Sequence, residues 1–85
     1  MRKTGYFLCR IFPAEKNHSR FGLILGGRVY KKAVERNRGR RMIYGWFRDN
    51  EPQLPAGDYL VTALPALSRL TKEEMIKALK NAVSF

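Results

Sequence analysis

Arginine and lysine dominate one stretch of the sequence, and the chemistry that they support is phosphate binding. Between residues 28 and 48 there are eight basic residues and a single acidic one, Glu35. A solvated helix face usually mixes both signs of charge, so this excess favours a polyanionic ligand. Arginine outnumbers lysine here, and its planar guanidinium binds phosphate oxygens in a bidentate way and stacks on bases. The basic residues are Arg28, Lys31, Lys32, Arg36, Arg38, Arg40, Arg41 and Arg48.

The acidic residues offer little support for catalysis by the protein. Glu73 and Glu74 are adjacent in the first turn of a predicted helix, where the helix dipole favours carboxylates. Asp49, Glu51 and Asp58 flank a loop and are able to gather a Mg²⁺ ion, although a role as solvated loop carboxylates is favoured. No P-loop, histidine pair or Ser-His-Asp arrangement is present. We therefore expect no catalytic residue and no metal site in the protein.

The only cysteine and the only histidine both point to structural roles. Cys9 has no second cysteine with which to form a disulfide or a cysteine-rich zinc site, so we expect a small buried strand residue. His18 stands in the polar segment "EKNHSR", with no second ligand at metal-binding spacing. Neither residue predicts a reactive centre.

The composition of the whole chain agrees with its basic stretch. Its 85 residues contain 17 Lys and Arg against 7 Asp and Glu, a formal charge of +10. A chain of this length suits one domain, here 1–85. No apolar run approaches the roughly 20 residues that span a bilayer, so no membrane partner is expected. Arg10 interrupts the apolar start and no cleavage site follows, which predicts a cytoplasmic protein.

Three segments have the pattern of β-strands. "GYFLCRIF" is rich in β-favouring residues and stops at Pro13, with Phe7, Cys9 and Ile11 on one face. Its other face is also partly apolar, so both faces are expected to be covered by helices or by a ligand. "RFGLILGG" follows after a short connection, which predicts an antiparallel hairpin with the first strand. "DYLVTAL" is the third strand.

A helix over 31–48 is predicted from the spacing of its apolar residues. At about 100° per residue, Met42, Ile43 and Trp46 fall on one side together with Gly39, and the arginines spread around the other. Each of the two glycines in this segment costs about 1 kcal/mol relative to alanine. Gly39 lies in the apolar stripe, where it allows the helix to approach the sheet closely.

A second helix is predicted in "LTKEEMIKALKNAV". Thr71 and Glu74 have the spacing of a capping box at its start. Its buried stripe is formed by Met75, Leu79, Ala82 and Val83. The order strand-strand-helix-strand-helix indicates an α+β two-layer sandwich, with one small sheet packed against helices.

The sequence resembles the protein subunit of bacterial ribonuclease P. The family carries Ala-Val, any residue, Arg-Asn-Arg, any residue, Lys or Arg, then Arg, on a helix after a strand. Here "AVERNRGRR" at 33–41 matches this signature, with Phe47 after it and "RFGL" at 20–23 before it. "DYLVTAL" and "LTKEEMIKAL" stand in the places of the family's last strand and last helix. The similarity covers nearly all of the chain in order and implies a ribonuclease P protein-like fold.

The resemblance implies a protein that acts with a catalytic RNA to remove the 5′ leader of precursor tRNA. In the family the RNA holds the active-site metal ions, so the implied cofactor is Mg²⁺ bound mainly by the RNA, and the protein is implied to be monomeric in the complex. The sheet face of Phe7, Cys9 and Ile11 is implied to line the leader cleft. The resemblance implies that Arg36, Asn37, Arg38, Arg40 and Arg41 lie on the helix that faces the catalytic RNA. With the basic residues Arg28, Lys31 and Lys32 before them, they are the expected RNA-binding residues.

Several positions depart from the family. Its usual N-terminal helix, which forms one wall of the leader cleft, has no counterpart before the first strand, so this wall is expected to be missing. A Lys-Lys pair is replaced by Gly27 and Arg28, Tyr44 stands in place of an arginine, and Leu64 in place of a basic residue. Each change removes an expected phosphate contact.

Two other functions remain open at this point. The first is a non-catalytic RNA-binding module, for example a ribosome-associated protein, that uses the same basic helix. The second is a protein nuclease that uses the loop carboxylates. Cleavage of precursor tRNA by the protein without any RNA would favour the nuclease.

Overall fold

A computed structural model describes residues 2–13 and 19–83 of the chain, so His18 lies outside the described residues. Its strands and helices are β1 (Arg2–Lys3), β2 (Phe7–Phe12), β3 (Arg20–Ile24), α1 (Ala33–Asn50), β4 (Asp58–Ala63) and α2 (Lys72–Val83). Short 3₁₀ helices occupy Glu51–Gln53 and Pro65–Arg69. The predicted order of strands and helices is confirmed, with β1 as an addition. No helix within these ranges has the length and apolar character needed to cross a bilayer.

The four strands form one mixed sheet in the order β1-β2-β4-β3. β4 pairs antiparallel with β2 and parallel with β3, so it lies between them. The predicted antiparallel hairpin of the first two main strands is therefore wrong. The reason is the crossover: α1, an 18-residue helix, follows β3 and returns the chain so that β4 runs parallel to β3.

Both helices pack on the same face of the sheet. Alternate residues of β2 and β4 point into this layer, and Phe7, Cys9 and Val61 are each fully buried there. Ile43 of α1 and Leu79 of α2 meet them in a single apolar core. The predicted α+β two-layer sandwich is confirmed.

α1 follows the predicted apolar stripe. Ile43 and Phe47 are buried, and Met42 and Trp46 are partly buried against the core. Gly39 is also buried, and a Cβ added there would lie 3.2 Å from the Leu25 Cδ2 atom. The missing side chain therefore lets α1 approach the segment after β3 closely.

α2 begins with the predicted capping box. The backbone N–H of Thr71 donates to Glu74 Oε1 at 2.9 Å, and the backbone N–H of Glu74 donates to Thr71 Oγ1 at 3.2 Å. The hydrogen bond from the Thr71 backbone lowers the pKa of Glu74 below its usual value, and the hydrogen bond with the Thr71 side chain makes a smaller contribution in the same direction. The predicted stripe is buried as expected: Met75, Leu79, Ala82 and Val83.

Candidate nucleic-acid interface

The predicted phosphate-binding residues lie on α1 and on the loop that leads into it. Most of them are exposed, and Arg36 is half-buried. The exposed members are Arg28, Lys31, Lys32, Asn37, Arg38, Arg40 and Arg41. The structure thus brings the residues of the motif together on one helix and its entry loop.

Helical spacing divides these residues between different faces of α1. Residues three or four apart are neighbours on a helix surface, so Asn37, Arg41, Tyr44 and Arg48 form one exposed row, here called the outer stripe. Arg38 lies on the side that faces α2, where it lines a cavity together with residues that include Met42, Lys72 and Met75. The basic residues therefore do not form one uniform surface.

Arg36 and Arg40 hold the loop before α1 against the helix. Arg36 Nη1 donates to the backbone oxygens of Tyr30 at 2.9 Å and Lys31 at 2.8 Å. Arg40 Nη2 donates to the backbone oxygen of Leu25 at 3.1 Å. These bonds give both arginines a structural role that the sequence did not indicate. Each guanidinium keeps further N–H donors with which to bind a phosphate.

The basic residues of α1 and its entry loop are not paired with carboxylates in the described chain. Within residues 2–13 and 19–83, no arginine or lysine of α1 or its entry loop forms an ion pair. The ion pair that is seen joins Arg20 Nη2 to Asp58 Oδ2 at 2.7 Å, between β3 and β4. A group of cations without ion pairs attracts a polyanion.

The sheet face assigned to the leader is not open to a ligand. Phe7 and Cys9 are fully buried between the sheet and the helices, and burial raises the pKa of the Cys9 thiol. Ile11, at the end of β2, is 37% exposed. The assignment is therefore wrong for Phe7 and Cys9, because side chains that alternate along β2 place this set in the core.

The opposite face of the sheet is open in the part of the chain that the structure describes. We call it the open sheet face: Leu8, Arg10, Phe12, Gly22, Ile24, Leu60 and Thr62. Phe12 and Ile24 are about half exposed, at 50% and 53%. A Cβ at Gly22 would lie 3.3 Å from Leu60 Cδ1, so the glycine keeps this face flat at its centre. The sequence predicted that both faces of this strand are covered, by helices or by a ligand, whereas the helices cover only the face of Phe7 and Cys9.

The loop carboxylates do not form a metal site. In the described ranges no three His, Cys, Asp or Glu side chains are grouped so that they hold a metal ion. Asp58 is instead engaged by Arg20, whose Nε and Nη2 both donate to its carboxylate. The residues in these ranges do not fit a Mg²⁺ ion held by protein ligands.

Known sequences that are similar to this chain are ribonuclease P proteins. The sequence model described as Ribonuclease P matches residues 2–84. The ribonuclease P protein component of Chromobacterium violaceum is 37% identical over 79 residues, covering 93% of this chain and 65% of that protein. The corresponding protein of Vibrio campbellii is 39% identical over 61 residues, covering 72% of this chain and 52% of that protein. The chain thus spans between half and two thirds of the length of these relatives.

Solved structures show the same fold. The ribonuclease P protein of Thermotoga maritima, in complex with 1-(4-fluorophenyl)-2-thiourea, superposes with a TM-score of 0.87 at 25% identity, covering 96% of this chain and 80% of that one. The ribonuclease P protein of Staphylococcus aureus gives 0.87 at 22% identity, covering 95% and 74%. With the match over 2–84, these similarities show that the chain belongs to the ribonuclease P protein family.

Proposed function

We propose that this chain is the protein subunit of ribonuclease P. In this role it binds the catalytic RNA and precursor tRNA and supports removal of the 5′ leader during tRNA maturation. The observation that carries the proposal is the group of cations on α1 and its entry loop that form no ion pair in the described chain, at the position of the family's Arg-Asn-Arg signature. We further propose a single copy of the protein in a cytoplasmic complex.

The outer stripe and the entry loop are the phosphate-binding surface in this proposal. Arg41 is exposed and has no bond to the rest of the described chain, so its whole guanidinium is available to phosphate. The chemistry of the reaction belongs to the RNA, and Mg²⁺ is held mainly by it. The protein contributes by binding RNA and by neutralising phosphate charge near the metal ions.

The leader strand binds, in this proposal, on the open sheet face. Exposed apolar side chains such as Phe12 supply surfaces on which unpaired bases stack, and Arg10 supplies a cation for the backbone. An extended single strand suits a flat sheet surface better than a duplex does, because its bases are free to stack on side chains.

Reconstitution with a bacterial ribonuclease P RNA tests the proposal. The rate of 5′ processing of precursor tRNA is measured at low Mg²⁺, with and without the protein. We expect a strong increase in rate with the wild-type protein. Arg41→Ala should reduce the increase, whereas the matched control Lys80→Ala, which removes an exposed cation from α2, should retain it.

Two results would contradict the proposal. Processing by the purified protein without RNA would indicate a protein nuclease. Tight RNA binding with no effect on processing at any Mg²⁺ concentration would indicate a non-catalytic RNA-binding module that uses the same helix.

A further inference from the structure

A concave pocket lies where the outer stripe ends. It has a volume of about 310 Å³ and is lined by Phe21, Tyr44, Phe47, Arg48 and Glu51. Phe21 belongs to β3, which is an edge strand of the sheet, and the next three residues belong to the last turns of α1. The pocket is separate from the open sheet face. Side chains alternate along a strand, so Phe21 points to the face of the sheet opposite that of Gly22 and Ile24.

The aromatic walls of the pocket are fixed by their own packing. The ring of Phe21 stacks on Phe47, with centroids 4.4 Å apart and an interplanar angle of 26°. The ring of Tyr44 meets Phe21 edge to face, at 5.3 Å and 84°. Phe47 is buried and packs on the ring of Tyr59, with the two ring centroids 5.8 Å apart. Tyr44 nevertheless remains 39% exposed, so part of its aromatic surface is available to a ligand.

The two charged residues of the pocket are both available for binding. Arg48 and Glu51 have opposite charges and line the same pocket, yet they form no ion pair in the described chain. Arg48 in the last turn of α1 is favoured by the helix dipole. Glu51 begins the 3₁₀ helix Glu51–Gln53, and no side-chain bond engages its carboxylate in the described chain.

This combination of groups matches the parts of a nucleotide. Aromatic rings stack on bases, and each stacked base contributes substantially to single-strand binding. A carboxylate accepts hydrogen bonds from the amino groups that adenine, cytosine and guanine carry and that uracil lacks. A guanidinium binds phosphate in a bidentate way.

We propose that the pocket binds one unpaired nucleotide of RNA, with its base stacked on Tyr44, a base amino group bound by Glu51 and its phosphate bound by Arg48. The inference rests on the proposed RNA-binding function. The outer stripe supports RNA as the occupant, since Arg41 precedes Tyr44 by about 4.5 Å along the helix axis. A strand whose phosphates contact Arg41 therefore reaches the pocket directly.

Fluorine NMR on the protein labelled with 3-fluorotyrosine tests the stacking. The chain has four tyrosines, and the resonance of Tyr44 is identified by its loss in Tyr44→Phe. On titration with short single-stranded oligo(A), we expect the Tyr44 resonance to shift through the ring current of the base. The resonance of Tyr59, which is 2% exposed, should stay in place as an internal reference.

The affinity of protein variants for the same RNA measures how much the stacking contributes to binding. Tyr44→Ala should weaken binding about tenfold through the loss of one stacked base, whereas Tyr44→Phe should bind like the wild type. Val34→Ala is the matched control, because it truncates another exposed apolar side chain of α1, at its opposite end. It should change the affinity by less than about twofold.

The base preference tests Glu51. We expect the wild-type protein to bind oligo(A) or oligo(C) about tenfold more tightly than oligo(U). Glu51→Ala should lose most of this difference, because alanine has no acceptor for the base amino group. A Tyr44 resonance that does not move when RNA saturates the protein would overturn the inference. So would a shift that follows protein concentration without RNA, which indicates a second copy in the pocket. Both results leave the processing test of the proposed function unaffected.

Discussion

Arg36 and Arg41 belong to the same signature but have different surroundings. Arg36 donates from Nη1 to two backbone oxygens of the entry loop, at 2.9 and 2.8 Å. Arg41 is exposed and has no bond to the described part of the chain. Sequence alone treats the two as equivalent, because the loop bonds of Arg36 depend on where residues 30 and 31 lie in the folded chain.

Their alanine variants should therefore differ. Arg41→Ala should leave the free energy of unfolding unchanged and flatten the slope of log K against log salt by about one unit, as expected for one lost phosphate contact. Arg36→Ala should lower the free energy of unfolding by about 1 kcal/mol, because it leaves loop carbonyls without their charged donor.

Urea unfolding and RNA binding over a range of salt concentrations measure the two quantities. Arg36→Lys is the control for charge: it keeps the cation but lacks the planar fork that reaches two carbonyls. Equal stability of Arg36→Ala and Arg41→Ala would show that the loop bonds contribute nothing to the fold.

At the scale of the helix, the two glycines of α1 have different surroundings. Gly39 faces the packed segment after β3, where an added Cβ would be 3.2 Å from Leu25 Cδ2 and 3.4 Å from Tyr30 Cε2. Gly45 has nothing within 4 Å of such an atom. Only the first glycine is required by packing.

Gly45→Ala should therefore stabilise the protein by about 0.5–1 kcal/mol, the difference in helix propensity between the two residues. Gly39→Ala should gain nothing, because Leu25 is 2% exposed and has little room to move. The midpoint of urea unfolding measures both. An equal gain at both positions would mean that Leu25 and Tyr30 shift without cost.

The helices were predictable from the sequence, and the pairing of the strands was not. The apolar stripes around Ile43 and Leu79 and the capping box at Thr71 are local patterns with a helical period, and the structure confirms them. The partner of β3 depends on the path of α1, which brings the chain back as β4. β2 has apolar residues on both faces, so its sequence did not determine that Phe7 and Cys9 face the helices.

At the scale of the whole molecule, the net charge couples stability to ligand binding. The chain carries a formal charge of +10, and the described basic residues of α1 have no acidic partners. Repulsion among these cations opposes the compact state, and a bound polyanion relieves it. Free protein should therefore be less stable than protein bound to RNA.

A polyanion at 100 times its dissociation constant should add about 2.7 kcal/mol to the free energy of unfolding. This corresponds to a rise of at least about 10 °C in the melting temperature of a domain of this size. Thermal melts with RNA, and with a neutral polymer as control, measure this rise. A melting temperature that does not change when RNA is added would contradict the prediction.

The slope of log K for RNA binding against log salt should lie at about −3 to −5 if roughly four or five phosphates are contacted.

The central place of β4 in the sheet has a consequence during synthesis. β2 and β3 both pair with β4, which comes after α1 in the chain. A nascent chain that has emerged only as far as α1 contains β2 and β3 without the strand that lies between them, so the edges that β4 covers in the folded protein are unpaired. The Arg-Asn-Arg signature is thus synthesised before the strand that completes the sheet. Ribosome-bound chains that stop before Asp58 contain the Arg-Asn-Arg signature but not the sheet that supports it.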